Sequence, residues 1–575
     1  MDQSVGGRLR PRRWRRRTTG IAVAGLLALA TAETMAGGGL LFVADAVGPA
    51  QAQPSSFSGN QWGDAKADAA AKAGTAKNSA MADPGSLYTV ENAIGARRVW
   101  LQKDASGQQI TGQGVTVALL DSGTAAVPGL DGTGKLIDGP DLSVESNGPL
   151  TDQDTFGHGT FMAGIIAGRD AAPLTEKTIN LLNPAVQLGV APDARLLSLK
   201  LANSDGSSDV SQIIAGLNWV TEHQISADGS KVRVVNLSFG TDSIQPYLLD
   251  PLAAATENAW RHGLVVVVSG GNEGPLAGRL TDPAMDPYVL AVGASDSNES
   301  AVGWTKPAVA SFSSRGTPAR HVDLLAPGTS LVSLRAPGSF IDLNHPEGLV
   351  SGDTTARLFR GSGTSQAAAV VSGASALLLQ ANPNLTPDQV KAALVATATP
   401  VSASAIDAGA GQLNVAAAVS AVQRATNSAG MIVLPPAAQA LVTQTYPVSA
   451  GQGSLDAARG GVGLLDADGV PISGEFDAQG NSWNPVAWWA ATSRSSTWSG
   501  GSWLGTTWTG DGWSNDVRWS SARWSSARWS SARWSSARWS SADWTSARWS
   551  SARWSSARWS SARWSSARWS DSFWG

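Results

Sequence analysis

The chain has 575 residues, of which 42% are hydrophobic and none is cysteine. A chain of this length can bury a large core and hold more than one domain. The absence of cysteine excludes disulfides, cysteine-zinc sites and a thiol nucleophile. Residues 1–53 contain seven arginines and three acidic residues, a charge of +4, and residues 515–575 contain ten arginines and three acidic residues, a charge of +7. Since the whole chain has a net charge of −3, residues 54–514 carry −14. An acidic body with basic ends argues against nucleic acid as a partner.

The N-terminus has the pattern of an export signal. Seven arginines between Arg8 and Arg17 precede an apolar run from Ile21 to Ala32, and residues 50–52 offer a small-residue cleavage site. The apolar run is shorter than the ~20 residues that a membrane-spanning helix needs, unless residues 37–43 extend it. We therefore predict a signal peptide over residues 1–53, with an uncleaved anchor as the alternative, and a protein that is secreted or at the cell surface.

Residues 54–85 are polar and rich in Ala, Asp, Lys and Ser, which predicts a linker or a short pro-segment. From Ser86 onward, apolar runs alternate with helical patterns. In chain order, the patterns predict strands at 115–120, 196–201, 232–237, 264–268 and 289–293, and helices at 161–168, 208–223, 252–262 and 364–380. A further helix opens at Thr386-Pro387, a capping residue followed by a first-turn proline.

The predicted strands are mostly apolar throughout rather than alternating, which is typical of a parallel sheet covered on both faces. We therefore predict an α/β fold, a three-layer sandwich with a mostly parallel sheet flanked by helices, over residues 86–423. Residues 331–360 have the character of an inserted surface loop. Residues 424–482 are predicted to form a linker or a small module, and residues 483–575 a low-complexity repeat tail.

Three blocks contain the side chains of a proton-transfer chain. They are Leu119-Leu120-Asp121-Ser122-Gly123, Phe156-Gly157-His158-Gly159-Thr160 and Gly363-Thr364-Ser365-Gln366-Ala367. An acid, an imidazole and a hydroxyl are the set that makes a serine nucleophilic. Asp121, Ser238 and Asn272 each follow an apolar strand run, and sites form beyond the carboxyl ends of parallel strands. Asp152 and Asp154 are rivals to Asp121 because they lie close to His158 in sequence.

With a fourth block, Ser269-Gly270-Gly271-Asn272-Glu273-Gly274, the order of motifs resembles that of subtilisin-like serine proteases, the subtilases, of the secreted bacterial type. The resemblance covers about residues 86–422. It implies a serine endopeptidase with Ser365 as nucleophile, His158 as general base, Asp121 as its orienting acid and Asn272 as oxyanion donor.

The resemblance further implies that Ser238, Phe239 and Gly240 pair with the substrate backbone and that Gly270 and Gly271 border the first specificity pocket. The chain departs from the family pattern after Ser365, where the sequence Gln366-Ala367-Ala368-Ala369-Val370 lacks the usual Pro and His. We expect protein or peptide substrates, no nucleic-acid partner, a monomer and no required cofactor or metal. Calcium binding is common in such proteins, but the sequence shows no compact carboxylate cluster that would hold the ion. Whether this chain binds calcium is therefore left undecided by the sequence.

The tail has tryptophan at every fifth residue from Trp519 to Trp574, mostly as Trp-Ser-Ser-Ala-Arg, and the same period begins at Trp483. Five residues advance a helix by ~500°, so no single stripe forms, and on a strand successive tryptophans face opposite sides. Low complexity without fixed order and a square β-solenoid are the two structural alternatives. The tail either binds a cell-wall polymer, an anionic surface or a partner, or is an expanded repeat without a ligand.

Two alternatives to a general secreted endopeptidase remain at this stage. The first alternative is an adhesion protein in which the Trp/Arg tail does the binding and the protease-like scaffold is inactive. The second is a dedicated maturation protease that cuts one exported partner. Retention of all four chemical residues argues against the inactive scaffold.

Overall fold

The computed structural model describes residues 83–424 apart from short gaps, residues 443–460 and 474–508, and two dipeptides at 533–534 and 538–539. The short gaps are 144, 147, 171–173, 181–185, 207, 226–229, 298–303 and 305. The predicted signal segment, nearly all of the predicted pro-segment and most of the repeat tail therefore lie outside the described residues. Among the described residues, no helix is long and apolar enough to cross a bilayer.

The described helices and strands are as follows. The helices are α1 Leu87–Ile94, α2 Ala96–Trp100, α3 His158–Ala167, α4 Glu176–Asn180, α5 Val210–Glu222, α6 Pro251–Arg261, α7 Phe340–Asn344, α8 Thr364–Ala381, α9 Pro387–Ala396, α10 Ala405–Ala408, α11 Val415–Arg424, α12 Leu455–Ala458 and α13 Pro485–Thr492. The strands are β1 Thr116–Asp121, β2 Leu136–Asp138, β3 Arg195–Lys200, β4 Val232–Leu237, β5 Phe239–Gly240, β6 Val265–Ser269, β7 Leu290–Asp296, β8 Ala308–Val309, β9 Leu324–Pro327, β10 Leu331–Leu334, β11 Leu358–Ser362, β12 Trp498–Ser499, β13 Ser502–Trp503, β14 Thr506–Thr507, β15 Arg533–Trp534 and β16 Arg538–Trp539.

The central sheet has the order β2-β3-β1-β4-β6-β7-β8, with β9 beside β7. All its pairings are parallel except that of β7 with β8. The inner strands β1 and β6 are buried along their whole length, so both faces are covered. Helices α3, α8 and α11 form one layer, and α5 and α6 pack together in the other. The predicted three-layer α/β architecture is confirmed.

Local signals in the sequence set the helix boundaries. Asp209 accepts a hydrogen bond from Ser211 N while Gln212 Oε1 accepts from Asp209 N, a capping box that starts α5. Thr386 and Gln389 form the same motif at the start of α9, ahead of Pro387. These caps satisfy backbone N–H groups that the first turn leaves without partners.

Residues 331–360 are a surface loop only in part: residues 351–352 and 354–356 are exposed, but both ends of the span are buried strands. β10 and β11 are buried throughout and pair antiparallel, and β10 packs on α3. Both strands are short and contain polar residues, so periodicity alone does not distinguish them from a loop.

Residues 443–460 lie against the peptidase fold through a buried ion pair. Arg459 Nε lies 2.8 Å from Asp209 Oδ2, and both side chains are at most 1% exposed. Thr241 Oγ1 donates to Ala458 O, and Ser449 N donates to the Glu257 carboxylate. This segment therefore belongs to the folded body, although its composition gave no such indication.

The first part of the tryptophan repeat is folded as well. Trp488 and Trp503 are fully buried, and the ring centroids of Trp483 and Trp488 lie 5.4 Å apart. Trp498 pairs with Trp503 across the β12–β13 hairpin. The turn residues Gly500 and Gly501 both have positive φ, as tight two-residue turns require. A spacing of five thus places two tryptophans directly opposite each other across a two-residue turn.

Candidate active site

Asp121 and His158 meet at the carboxyl edge of the sheet. Asp121 is the last residue of β1 and His158 the first of α3. His158 Nδ1 lies 2.8 Å from Asp121 Oδ1 and 3.0 Å from Oδ2, and both side chains are at most 2% exposed. Asp121 Oδ1 also accepts from Ser122 N at 2.8 Å. A carboxylate held in this way fixes the ring orientation and favours a proton on Nδ1.

Asp154, a rival from sequence proximity, has a different task. Its Oδ1 accepts from Gly157 N at 2.6 Å and from Ser122 Oγ at 2.8 Å, and its Oδ2 accepts from Thr160 N at 2.7 Å. Burial raises the pKa of Asp154, against these hydrogen bonds. The carboxyl thus holds the first turn of α3, which begins with His158, whereas the Asp121 carboxylate contacts the ring itself.

Ser365 is the second residue of α8, which packs against α3. Its side chain is fully buried, and its Oγ lies 3.4 Å from Ser238 O. Ser238 Oγ in turn donates to Ser365 O at 3.1 Å, and Asn236 Nδ2 donates to Ser238 Oγ at 3.0 Å. These bonds tie the start of α8 to the end of β4, the strand that pairs with β1. All three triad candidates therefore lie at the same edge of the sheet.

Asn272 follows β6 and is fixed by the residue that precedes Ser365. Its Oδ1 accepts from Thr364 N at 2.8 Å and from Thr364 Oγ1 at 2.9 Å. Because the carbonyl oxygen is engaged by two donors, the amide nitrogen must point the other way. Asn272 is thereby anchored at the start of α8, where the family resemblance expects an oxyanion donor.

The predicted substrate-contacting residues line the same edge. Phe239 and Gly240 form the short strand β5 directly after Ser238. Gly271 N donates to Thr364 Oγ1 at 3.2 Å, which places the glycine loop against the start of α8. Gly271 has φ 107°, and a Cβ there would approach Ser314 Oγ to 2.8 Å. Only glycine fits this backbone, because the positive φ and the neighbouring side chains of Ser314 and Thr281 leave no room for a Cβ.

The sequence pattern of the Subtilase family matches residues 112–428, more than half of the chain. The chain belongs to the subtilase family. It is 36% identical over 291 residues to the serine protease AprX of Bacillus subtilis, a match that covers 50% of this chain and 61% of AprX. It is 33% identical over 314 residues to subtilisin Savinase of Lederbergia lenta, covering 55% and 94% of the two chains.

Solved structures of related subtilases also match. A cold-adapted subtilisin-like serine proteinase aligns with 25% identity and a TM-score of 0.39, over 56% of this chain and 96% of that one. Fervidolysin from Fervidobacterium pennivorans, a keratinolytic enzyme related to subtilisin, aligns with 26% identity and a TM-score of 0.45, over 59% and 47%.

Several supporting residues of this subtilase site were not singled out from sequence. Asn236, Thr364 and Ser372 act on the candidates through hydrogen bonds; Ser372 Oγ, for example, donates to Asn236 Oδ1 at 2.8 Å. Thr364 could have been noticed because it adjoins Ser365, whereas Ser372 carries no local signal. Among the residues that the structure describes, no group of three or more His, Asp or Glu side chains is arranged to hold a metal ion.

Proposed function

We propose that this subtilase is a secreted or cell-surface serine endopeptidase that hydrolyses peptide bonds through an acyl-enzyme. The observation that carries the proposal is the buried 2.8 Å contact between His158 Nδ1 and Asp121 Oδ1 at the sheet edge where α8 presents Ser365. An acid that orients an imidazole next to a helix-borne serine has the components of a general-base relay.

In the proposed mechanism, Ser365 Oγ attacks the substrate carbonyl carbon and His158 takes its proton. His158 becomes an imidazolium that the Asp121 carboxylate stabilises without accepting the proton. The tetrahedral oxyanion receives hydrogen bonds from Ser365 N–H and the Asn272 amide. Collapse breaks the peptide C–N bond, and His158 gives the proton to the leaving amine. Water then attacks the acyl-enzyme by the same route, which regenerates the Ser365 hydroxyl.

Protein or peptide substrates would bind by strand addition. β5 has no partner in the central sheet, so its edge can pair with an extended peptide. Gly270 and Gly271 would border the pocket for the side chain that precedes the cut bond. No cofactor takes part in this mechanism, and calcium as a stabilising ion would be tested by thermal unfolding with and without a chelator.

A fluorescent phosphonate that reacts only with activated serines tests the proposal. We expect covalent labelling of the wild-type protein and none of Ser365→Ala, with the exposed serine variant Ser402→Ala as a matched control that keeps the label. The rival hypothesis of an inactive adhesive scaffold predicts no labelling of any form. Export is checked separately by the mass of the mature N-terminus of protein collected from the culture medium.

A further inference from the structure

Two strand edges lie on either side of Ser365. β5 starts directly after Ser238, whose carbonyl oxygen is 3.4 Å from Ser365 Oγ. β11 ends at Ser362, three residues before Ser365. β5 is outside the central sheet. β11 pairs with β10 along one edge, and on its other edge Phe359 bridges to Leu349, so the end of β11 at Gly361 and Ser362 is where a further strand can pair. An unpaired edge is a template for an extended chain.

Both edges are occupied by dipeptides of the C-terminal repeat. β15 pairs antiparallel with β5, with Arg533 opposite Gly240 and Trp534 opposite Phe239. β16 pairs antiparallel with β11, with Arg538 opposite Ser362 and Trp539 opposite Gly361. The repeat therefore uses the strand that a substrate would use and the strand that leads to the nucleophile.

A single extended segment can satisfy both pairings. Three residues separate Trp534 from Arg538, so their Cα atoms are at most about 14 Å apart. The dipeptide 533–534 is antiparallel to β5 and the dipeptide 538–539 is antiparallel to β11, so a chain that runs in one direction along the cleft can make both pairings. The two pairings are therefore within the reach of one short peptide.

We propose that the Arg-Trp repeat of the C-terminal tail is an intramolecular ligand of the substrate cleft and excludes other peptides from it. The effect on activity rests on the proposed peptidase function, whereas the occupancy of the cleft does not. The recognition is carried by the backbone, because strand pairing uses N–H and C=O groups of an extended chain.

Charge and composition favour this occupant. Residues 515–575 carry +7 and residues 54–514 carry −14, so the tail is drawn to the body. Residues 516–574 contain no glycine, so they lack the positive-φ turn residues that fold the earlier repeats into the β12–β13 hairpin. The tail sequence thus keeps the tryptophan spacing of the hairpin but lacks its turn glycines. Such a sequence is suited to bind as an extended strand.

The repeat supplies many equivalent copies of the ligand. Arg-Trp occurs ten times between residues 518 and 569, mostly at a spacing of five. Tethering in one chain gives an effective concentration on the order of 1 mM, so a free repeat peptide with Kd ~0.1 mM would correspond to about nine-tenths occupancy in the intact chain. A shift of the tail by five residues restores an equivalent pairing, so no single repeat is essential.

The first experiment releases the tail from the folded full-length chain. A recognition sequence for a site-specific protease is inserted after Asn515, and phosphonate labelling is followed before and after cutting and removal of the tail. We expect the labelling rate to rise about tenfold on release. The same chain treated with an inactivated site-specific protease is the control, and equal rates in the cut and uncut forms would overturn the inference while leaving the peptidase proposal intact.

The second experiment measures occupancy without catalysis. A fluorescein-labelled peptide with the sequence of residues 533–539, Arg-Trp-Ser-Ser-Ala-Arg-Trp, is titrated into the Ser365→Ala chain with the same inserted site. We expect saturable binding to the cut form and at least tenfold weaker binding to the uncut form. A peptide of identical side chains with N-methyl groups on the four Arg and Trp residues should not bind, because it cannot donate the strand hydrogen bonds.

These two measurements separate the possible failures. Absence of labelling in both forms, with peptide binding to the cut form alone, would overturn the peptidase proposal and support the occupancy. Equal peptide binding to both forms, or no binding to either, would overturn the occupancy whatever the labelling shows. Deletion of residues 535–539 should leave the uncut labelling rate unchanged within twofold, and a full release by that deletion would contradict recognition by repeated, equivalent copies.

Discussion

His158 Nδ1 and Asp121 Oδ1 lie 2.8 Å apart in a buried contact that joins the end of β1 to the start of α3. Asp154 lies only four residues before His158 in sequence, yet its carboxyl holds the backbone of α3. The two acids therefore act on the same histidine in different ways: one on its ring, the other on the helix that carries it.

The first prediction separates these acids. Asp121→Asn should lower kcat by about 10⁴-fold, because the amide favours the wrong tautomer of His158 while preserving the shape of the site. Asp154→Asn should keep kcat within about tenfold and instead lower the free energy of unfolding, since it loses buried hydrogen bonds worth ~1–3 kcal/mol. Steady-state kinetics and urea unfolding of both variants are the measurements. A larger loss of kcat for Asp154→Asn than for Asp121→Asn would contradict this assignment.

The second prediction concerns the oxyanion. Asn272→Ala should lower kcat by about 10²- to 10³-fold with little change in KM, because its amide acts on charge that develops only in the transition state. Thr364→Val removes the hydroxyl that donates to Asn272 Oδ1 but keeps the backbone donor, so its loss should be smaller. An equal fall in kcat for the two variants would show that Thr364 acts by another route.

The third prediction concerns the buried pair Arg459–Asp209. Arg459→Met should lower the free energy of unfolding by about 3–5 kcal/mol, because it leaves Asp209 buried without its charge partner. Adding Asp209→Ser, which keeps a helix cap for α5, should recover part of that loss. Urea unfolding in a Ser365→Ala background, which prevents self-digestion, provides the comparison. No recovery in the double variant would mean that packing, not charge, dominates.

The same pair predicts an acid-sensitive contact. Burial alone would raise the pKa of Asp209, but the Arg459 guanidinium outweighs it and lowers the pKa. An acid with a lowered pKa contributes stability above its unfolded value of 3.8, and the contribution is lost as pH falls through the folded value. The stability difference between wild type and the double variant should therefore shrink below about pH 4, as measured by urea midpoints from pH 3 to 6. A difference that is constant over this range would contradict the pairing.

The fifth prediction concerns Glu257, where the sign is opposite. Burial raises its pKa to about 7, although Ser449 N and Arg261 oppose the shift. The folded state therefore holds the proton between pH 4.5 and 7, and this group lowers stability as pH rises through that window. Glu257→Gln should remove the dependence and gain on the order of 1–3 kcal/mol above pH 7. Thermal unfolding midpoints of both proteins at pH 4.5 and 8 measure the effect, and a parallel shift at both would refute it.

The sequence could predict most of the fold and the identity of the chemical residues. The mostly apolar run Val232–Leu237 is a strand as predicted, because a buried parallel strand needs no polar face. The Asp209–Gln212 capping box and Thr386-Pro387 are local signals that act within one turn. The fold of the Trp483–Trp508 segment could not be predicted from sequence, because a five-residue period fits neither a helix nor a single strand. The tryptophans form a regular arrangement only when two strands pair across a two-residue turn.

By itself, the sequence determined the order of strands and helices, the family motifs and the candidates Asp121, His158, Asn272 and Ser365, because each depends on residues that are neighbours along the chain. The tertiary structure alone decided that Asp121 rather than Asp154 touches the His158 ring, that Arg459 pairs with Asp209 across 250 residues, and that repeat dipeptides pair with β5 and β11. Contacts of this kind depend on which surfaces packing brings together, and no local pattern encodes the distance between residues far apart in the chain.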